Sequence, residues 1–312
     1  MFLNLPLRLL TKVLGIRMIM KSIPFRMPLY DDAIKESVIP LSGMSTPQAK
    51  LKRALGNIRR KFLVKLTASF YRSLDAHVNY VEDGIRIFGS YGVDAEKVFI
   101  IYNSPDTDKL LEMRKQAEKE PLILSQNPTR IIHVGRLVEW KRVDLLIGVV
   151  ANLKEKYPNI ELLVIGYGPF EKEWKDLASR TGVSDRVQFL GGVYDPLLLA
   201  KYHVASSVYV LAGMGGLSIN EAMCFGLPII CSVGDGTEKH LVTEDVNGKF
   251  FKEGDVLDLT NKIDGLFADS HRCKEMGKNS VHIIESKINI HLVVKGYQNA
   301  IEFVLGRKLS DV

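Results

Sequence analysis

The alternation of strand-like and helix-like segments from Thr129 onward most constrains the fold of this chain. The short runs of β-branched and aliphatic residues are RIIHV, IELLVI, RVQFL, SVYVL and PIICS. Helical patterns lie between them at 142–157, 170–180, 196–203 and 218–225. Strands that alternate with helices of this length indicate βαβ units and a parallel sheet. We therefore predict a doubly wound α/β domain whose ligand lies beyond the carboxyl ends of its strands.

The residues before this domain have a less regular pattern. IRMIM, AHVNYV and KVFIIYNSP resemble strands, with a helical segment between the first two, and a polar, charged stretch at 112–127 is interpreted as a linker. The end of the chain has helical apolar spacing. We predict a shortened amino-terminal domain at 1–122, a complete domain at 128–288, and a carboxyl-terminal helix at 289–312 that packs back toward the first domain.

A basic segment lies within the first part of the chain. Between Ser37 and Leu74 there is no Asp or Glu, whereas eight Lys and Arg residues occur there. Apolar residues recur in it at three- and four-residue steps, which predicts a basic amphipathic helix. Such a helix can lie on an anionic membrane surface, or it can pack its apolar face into a domain core. One helix can also do both. We predict an anionic membrane partner through 48–72 and, since no nucleic-acid motif accompanies the charges, no nucleic acid.

The amino terminus and the cysteines bear on the cellular compartment. Charged residues interrupt each apolar run of MFLNLPLRLLTKVLGIRMIMKSIPF, so we predict neither a secretion signal nor a membrane-spanning helix. The three cysteines form no CxxC pair and have no zinc-like spacing to histidine. This usage fits a reducing compartment. We predict a cytoplasmic protein, peripheral on the cytoplasmic face of the membrane, without a bound metal.

The stretch LAGMGGLSINEAMCFGLP at 211–228 combines a glycine-rich turn with the start of a helix. Ser218 and Glu221 have the spacing of a capping box, in which each side chain accepts a hydrogen bond from the other residue's amide. The stretch is then either a tight turn before a capped helix or a phosphate site, because the free amides of a helix start attract anions. The residues alone leave both interpretations open.

Two basic residues follow the first strand of the large domain, in IIHVGRLVEWKRVDLLI. Arg136 comes just after the strand and Lys141 at the predicted start of the next helix. An Arg fork and a Lys point charge beside a helix start could clamp a diphosphate. The alternative is that both side chains only make the surface soluble, but their position at the strand end favours the clamp.

Several motifs in register resemble a known family. GRLVEWKRVDLLI, VIGYGPFEKEW, VQFLGGV and GGLSINEAMCFGLPII, followed by GTEKHLVTEDVNGKFF, look like the carboxyl-terminal half of family 4 glycosyltransferases. The resemblance covers roughly 131–251 and continues more faintly over 74–110. These are retaining enzymes of the GT-B fold. The resemblance implies an α/β, GT-B-like fold with two Rossmann-like domains, of which the carboxyl-terminal one is complete and the amino-terminal one is shortened.

The resemblance also implies roles for individual residues. Arg136 and Lys141 would be catalytic, since they would grip the donor diphosphate and stabilise the departing nucleotide without a metal. Glu221 would accept hydrogen bonds from the donor ribose. The other donor-binding positions would act mainly through their backbone, and the amides near 216–218 would hold phosphate oxygens. These positions are Gly135, Gly192, Val193, Gly215, Gly216, Leu217 and Ser218.

The resemblance places Gly192 and Val193 at the nucleobase, which they would read through their backbone. No cofactor is implied, because the nucleotide-diphosphate sugar is a co-substrate. DTD at 106–108 follows a strand-like run and is predicted to be a turn and a helix cap rather than a metal motif. His77 in AHVNYV is assigned to a strand.

Position 213 departs from the family pattern. The pattern has an acid eight residues before Glu221, where this chain has Gly213, and in the family that acid contacts the donor sugar. Two functions therefore stand. The first is a retaining, hexosyltransferase-type glycosyltransferase that moves a sugar from a nucleotide-diphosphate sugar to a glycan or lipid-linked acceptor in cell-surface polysaccharide biosynthesis. The alternative is a non-catalytic nucleotide-binding or membrane-surface accessory protein, or an inactive truncated remnant.

Overall fold

The computed structural model describes residues 4–23, 27–38, 46–234 and 236–309. Within these ranges the chain forms two compact units. The first contains the described residues up to Tyr102 and those from Leu292 onward, and the second spans Asn103–His291. Each unit is built on its own parallel sheet, as predicted for an α/β chain.

The first unit has a three-stranded parallel sheet in the order β1-β2-β3. Its middle strand is buried along its whole length and contains His77, as predicted. The strands are β1 (Ile19–Ser22), β2 (Ala76–Asn79) and β3 (Val98–Ile100). The helices are α1 (Asn4–Val13), α2 (Tyr30–Glu36), α3 (Pro47–Ser73) and α4 (Asp83–Ser90).

Helix α3 is the predicted basic helix, and its two ends differ in burial. Near its carboxyl end, Phe70 and Tyr71 are buried and pack with Phe88 of α4 in the core of the unit. In the first part of the helix, four large apolar side chains are each between 58% and 64% exposed. These side chains are Leu51, Leu55, Ile58 and Phe62. The core of the unit therefore buries the apolar side chains near the carboxyl end of α3 and leaves those in its first part exposed.

The second unit has a six-stranded parallel sheet in the order β6-β5-β4-β7-β8-β9. The chain starts in the middle of this sheet, winds to one edge, and then returns to continue on the other side of β4. Ligands of such sheets bind outside the carboxyl ends of the two strands where this reversal occurs, here β4 and β7. The strands are β4 (Arg130–Val134), β5 (Glu161–Ile165), β6 (Val187–Gly191), β7 (Val208–Leu211), β8 (Ile229–Cys231) and β9 (Gly248–Phe250).

Helices follow the strands of the second unit as the sequence predicts, with small shifts at their ends. Aliphatic side chains from the sheet and from the covering helices form a buried core, which includes Ile131, Leu146, Leu162 and Val210. The helices are α5 (Thr107–Ala117), α6 (Val143–Leu153), α7 (Glu171–Arg180), α8 (Pro196–Val204), α9 (Ser218–Cys224), α10 (Glu238–Leu241), α11 (Val256–Phe267) and α12 (Ser270–Ser286).

The linker predicted at 112–127 is wrong over its first residues, because 112–117 continue α5. The Asp106 side chain caps this helix by accepting a hydrogen bond from the Lys109 amide at 3.1 Å, as predicted for the DTD turn. Ala117 packs with Ala200 and Phe225. These contacts place α5 in the second unit, so that unit begins before the predicted boundary at residue 122.

Helix α13 (Ile290–Leu305) follows α12 near the end of the chain. Its Ala300 and Tyr297 pack against Val78 and Ile101 in the first unit. No helix among the described residues combines the length and the apolar character that crossing a membrane requires.

Candidate functional site

The loops after β4, β5 and β6 are joined by backbone hydrogen bonds at glycines. The Gly135 amide donates to the Ile165 carbonyl at 2.9 Å, and the Gly166 amide donates to the Gly191 carbonyl at 2.7 Å. Gly166 has a φ of +136°, and a Cβ atom there would overlap the Gly135 carbonyl oxygen. Glycine is thus required where the loops approach each other most closely.

Lys141 lies against the glycine-rich turn that follows β7. It ends a short 3-10 turn (Glu139–Lys141) before α6. Its Nζ atom donates hydrogen bonds to the carbonyl oxygens of Met214 at 2.8 Å and Gly215 at 3.2 Å. A Cβ atom on Gly216 would lie 3.8 Å from the same Nζ. The fold therefore brings together one predicted cation and the predicted phosphate-binding glycines.

The structure gives a steric reason for glycine at position 213. The Met214 amide donates a hydrogen bond to the Trp140 carbonyl oxygen at 2.9 Å. This bond holds the two loops so close that a Cβ atom on Gly213 would overlap that oxygen. An acid at position 213 does not fit this backbone.

The predicted capping box at the start of α9 is wrong. The N-cap residue is Leu217, which makes no side-chain cap, and Ser218 is already helical. The Ser218 hydroxyl instead accepts a hydrogen bond from the Tyr209 hydroxyl at 2.7 Å. The Glu221 amide donates to the Leu217 carbonyl, as in an ordinary helical turn.

Glu221 consequently has a carboxylate that the cap does not use. It lies with Ser218 on one side of α9, whereas Ile219, Asn220 and Ala222 are buried. No described residue donates a hydrogen bond to the carboxylate, and burial raises its pKa to about 7. A half-buried acid with a raised pKa is typical of functional sites. Its two oxygens could accept bonds from neighbouring hydroxyl groups.

The other predicted residues lie at the ends of β4 and β6. Arg136 is exposed, and among the described residues none accepts a hydrogen bond from its guanidinium. Gly192 and Val193 follow β6, and the ring of Tyr194 lies only 3.0 Å from where a Gly192 Cβ atom would stand. The hydrogen bond with Tyr167 raises the pKa of Tyr194.

Two buried titratable residues near the site, His133 and Glu238, were not predicted from the sequence. His133 on β4 is fully buried and shares a hydrogen bond of 3.0 Å with the Val210 carbonyl oxygen, and burial lowers its pKa to about 4. Glu238 is also fully buried, accepts a hydrogen bond from the Gly236 amide at 2.9 Å, and lies 2.7 Å from a Cβ position on Gly215. Both residues lie in stretches quoted above, but their burial could not be predicted because it depends on packing between segments that are distant in sequence.

Comparison with protein families identifies a match over most of the second unit. The model of the glycosyl transferases group 1 family matches residues 114–283, which is more than half of the chain. An uncharacterized glycosyltransferase of Haemophilus influenzae is 32% identical over 168 residues, covering 52% of this chain and 46% of that protein.

A second relative has a more specific name. The GDP-mannose-dependent alpha-(1-6)-phosphatidylinositol monomannoside mannosyltransferase of Mycolicibacterium smegmatis is 27% identical over 201 residues, covering 61% of this chain and 49% of that protein. The chain thus spans about half the length of the curated relatives it matches.

Solved structures extend the comparison to the whole fold. HepE from Anabaena, in complex with UDP, superposes with a TM-score of 0.65 at 20% identity, covering 96% of this chain and 75% of HepE. The sucrose-phosphate synthase of Thermosynechococcus elongatus superposes with a TM-score of 0.63 at 18% identity, covering 96% and 72%. These similarities confirm the predicted GT-B-like α/β fold. The family match, which covers more than half of the chain, shows that the chain belongs to the group 1 glycosyl transferases.

Proposed function

We propose that this protein transfers a sugar, with retention of configuration, from a nucleotide-diphosphate sugar to a glycan or lipid-linked acceptor in cell-surface polysaccharide biosynthesis. The observation that carries the proposal is the contact of the Lys141 ammonium with the Met214 and Gly215 carbonyls, at the strand ends where α/β sheets bind ligands. Half-buried Glu221 lies on the helix that follows this turn.

The proposed mechanism relies on charge and positioning. A diphosphate oxygen is a stronger acceptor for the Lys141 ammonium than a neutral carbonyl, since both partners are then charged. Arg136 would contribute a second cation, and Glu221 would accept hydrogen bonds from the ribose hydroxyls. The departing nucleotide phosphate would help to deprotonate the acceptor hydroxyl. The two cations would stabilise the negative charge that develops on this phosphate. These roles require no metal.

A non-catalytic nucleotide-binding or membrane-surface accessory protein is the second candidate. The observation that favours it is Gly213, where the Trp140 carbonyl leaves no room for the acid of the family pattern. Both candidates bind a nucleotide diphosphate. Sugar transfer or donor hydrolysis by the intact protein therefore separates them, and absence of both with every common donor supports the accessory role.

The similar proteins suggest which donors to test first. HepE was crystallised with UDP and UDP-glucose, and the mycobacterial relative is GDP-mannose-dependent. A thermal-shift screen against UDP, GDP, ADP and CMP sugars tests the proposal directly. Ligand at 100 times its Kd stabilises the folded state by about 2.7 kcal/mol, which is a readily measured shift. No shift with any of these nucleotides would contradict both candidates.

The Arg136→Ala variant is expected to bind the nucleoside diphosphate found in that screen about tenfold more weakly, because an exposed cation contributes roughly 1 to 1.5 kcal/mol to a phosphate contact. Isothermal titration calorimetry measures the change. Arg180→Ala is the matched control, since Arg180 is an exposed residue of the same unit and lies at the carboxyl end of α7. Equal affinity of Arg136→Ala and the intact protein would remove Arg136 from the diphosphate site.

The membrane part of the proposal rests on α3. Its exposed apolar residues lie among exposed cations such as Lys52 and Lys61, a combination that suits an anionic bilayer. Changing both lysines to Gln is expected to weaken binding to vesicles that contain phosphatidylglycerol about 30-fold, since each cation near such a surface contributes roughly 1 kcal/mol. Vesicle co-sedimentation measures this effect, with phosphatidylcholine vesicles and a Lys274→Gln variant as controls. Equal binding of both variants to anionic vesicles would exclude this surface.

A further inference from the structure

Trp140 is an exposed aromatic residue at the edge of the candidate site. The chain contains two tryptophans, and they differ in burial: Trp174 is 2% exposed in the core, whereas Trp140 is 54% exposed. Within the described residues, the Trp140 ring stacks on no other ring and belongs to no core cluster. The apolar core therefore gives no reason for a tryptophan at this position.

The backbone of Trp140 is fixed beside the glycine-rich turn. Its carbonyl oxygen accepts the hydrogen bond from the Met214 amide and fills the space that a side chain at Gly213 would need. The next residue, Lys141, bonds to the carbonyls of Met214 and Gly215. Trp140 is thus held between the cation proposed for the diphosphate and the position where the family pattern has its sugar-contacting acid.

We propose that Trp140 packs its indole ring against the C–H face of the donor's pyranose sugar and so replaces the acid that is absent at Gly213. This inference rests on the proposed function, because it assumes that the donor diphosphate lies at Lys141. It assigns the sugar contact to a residue that follows β4 instead of to one that follows β7.

The exchange changes the kind of sugar recognition. A carboxylate recognises hydroxyl groups through hydrogen bonds and needs partners at defined positions. An aromatic ring binds through the contact area of its apolar face, and ligand pockets commonly combine such faces with a few polar anchors. The donor favoured by this site is then a pyranose with a continuous C–H face, and changes in single hydroxyl groups should alter its affinity only weakly.

The test compares nucleotide sugars with the nucleotides that lack the sugar, using UDP-glucose against UDP and GDP-mannose against GDP. Trp140→Ala is expected to raise the Kd of the bound nucleotide sugar about five- to tenfold and to leave the Kd of the nucleoside diphosphate unchanged within about twofold. Trp140→Phe should retain most of the affinity because it retains an aromatic face. Leu257→Ala removes a similarly exposed apolar residue of the same unit and serves as the control.

Tryptophan fluorescence gives a second measurement without a loss-of-function variant. The nucleotide sugar should shift the emission of the intact protein, whereas the nucleoside diphosphate should not. In Trp140→Phe only buried Trp174 remains, and the shift should disappear.

Three results would decide against the inference or its basis. An equal loss of affinity for nucleotide and nucleotide sugar in Trp140→Ala would place the ring at the nucleotide and overturn the inference. Unchanged affinity for both ligands would also overturn it and would leave the proposed function intact. Failure of the intact protein to bind any nucleotide would instead contradict the proposed function.

Discussion

The Lys141→Ala variant is expected to bind nucleoside diphosphates about 100-fold more weakly than the intact protein, which corresponds to roughly 2.7 kcal/mol. Charge-assisted hydrogen bonds are the strongest that a lysine makes, and this ammonium already lies 2.8 Å from the Met214 carbonyl of the turn. Its loss removes the cation and the two hydrogen bonds that it donates to the turn. Isothermal titration calorimetry with UDP and GDP measures the change.

Two variants make this measurement specific. Lys141→Arg keeps the charge but not the geometry of a point charge, so it should recover only part of the affinity. Lys274→Ala removes an exposed lysine that lines a cleft with Ser207 and Pro228, residues that precede β7 and β8 and thus lie at the opposite end of the sheet. Its affinity should match that of the intact protein. If Lys141→Ala folds and binds UDP or GDP normally, the diphosphate does not lie on the glycine-rich turn.

Glu221→Gln is expected to stabilise the folded protein and to weaken nucleotide binding at the same time. Burial raises the pKa of Glu221 from an ordinary 4.5 to about 7. The folded state therefore holds a proton that the unfolded state releases, and stability falls as pH rises from about 4.5 to 7. The loss amounts to at most about 3 kcal/mol, and a neutral Gln does not incur it. Urea unfolding at pH 5 and pH 8 should show that the advantage of Gln grows with pH.

The binding of nucleotides should have the opposite dependence on Glu221. Ribose hydroxyls donate to a carboxylate, so the nucleotide binds the ionised form and the affinity of the intact protein should rise as pH increases through about 7. In Glu221→Gln the affinity should be lower and should lack this pH dependence. Glu253→Gln changes an exposed acid of the same unit and should alter neither property. A Gln variant with the stability gain but unchanged nucleotide affinity would exclude Glu221 from the site.

Several parts of the site could be predicted because they depend on local sequence. The strands and helices of the second unit follow from short-range hydrophobic periodicity, and that alternation also identifies the strand ends where a ligand binds. Lys141 was predicted from its position after β4, whereas the role of Glu221 was implied by the family resemblance. The boundary between the units was harder to predict, because the residues assigned to a linker at 112–117 instead continue α5 of the second unit.

The capping box failed for a different reason. The spacing of Ser218 and Glu221 satisfies the local rule, but Tyr209 lies on the strand below and takes the Ser218 hydroxyl as its acceptor. A capping rule considers only hydrogen-bond partners that are close in sequence. A buried tyrosine hydroxyl needs a hydrogen-bond partner wherever the fold places it, and that partner can be distant in sequence.

The sequence by itself determined the α/β class and the order of the elements in the second unit, and it predicted Lys141 and, through the family resemblance, Glu221 as site residues. Only the tertiary structure showed that the buried residues of α3 lie near its carboxyl end, that Gly213 accommodates the Trp140 carbonyl, and that Trp140 is exposed beside Lys141. Periodicity and capping depend on residues a few positions apart and can be read along the chain. Steric fit and burial depend on residues that are distant in sequence, so they are decided only when the loops after β4 and β7 meet.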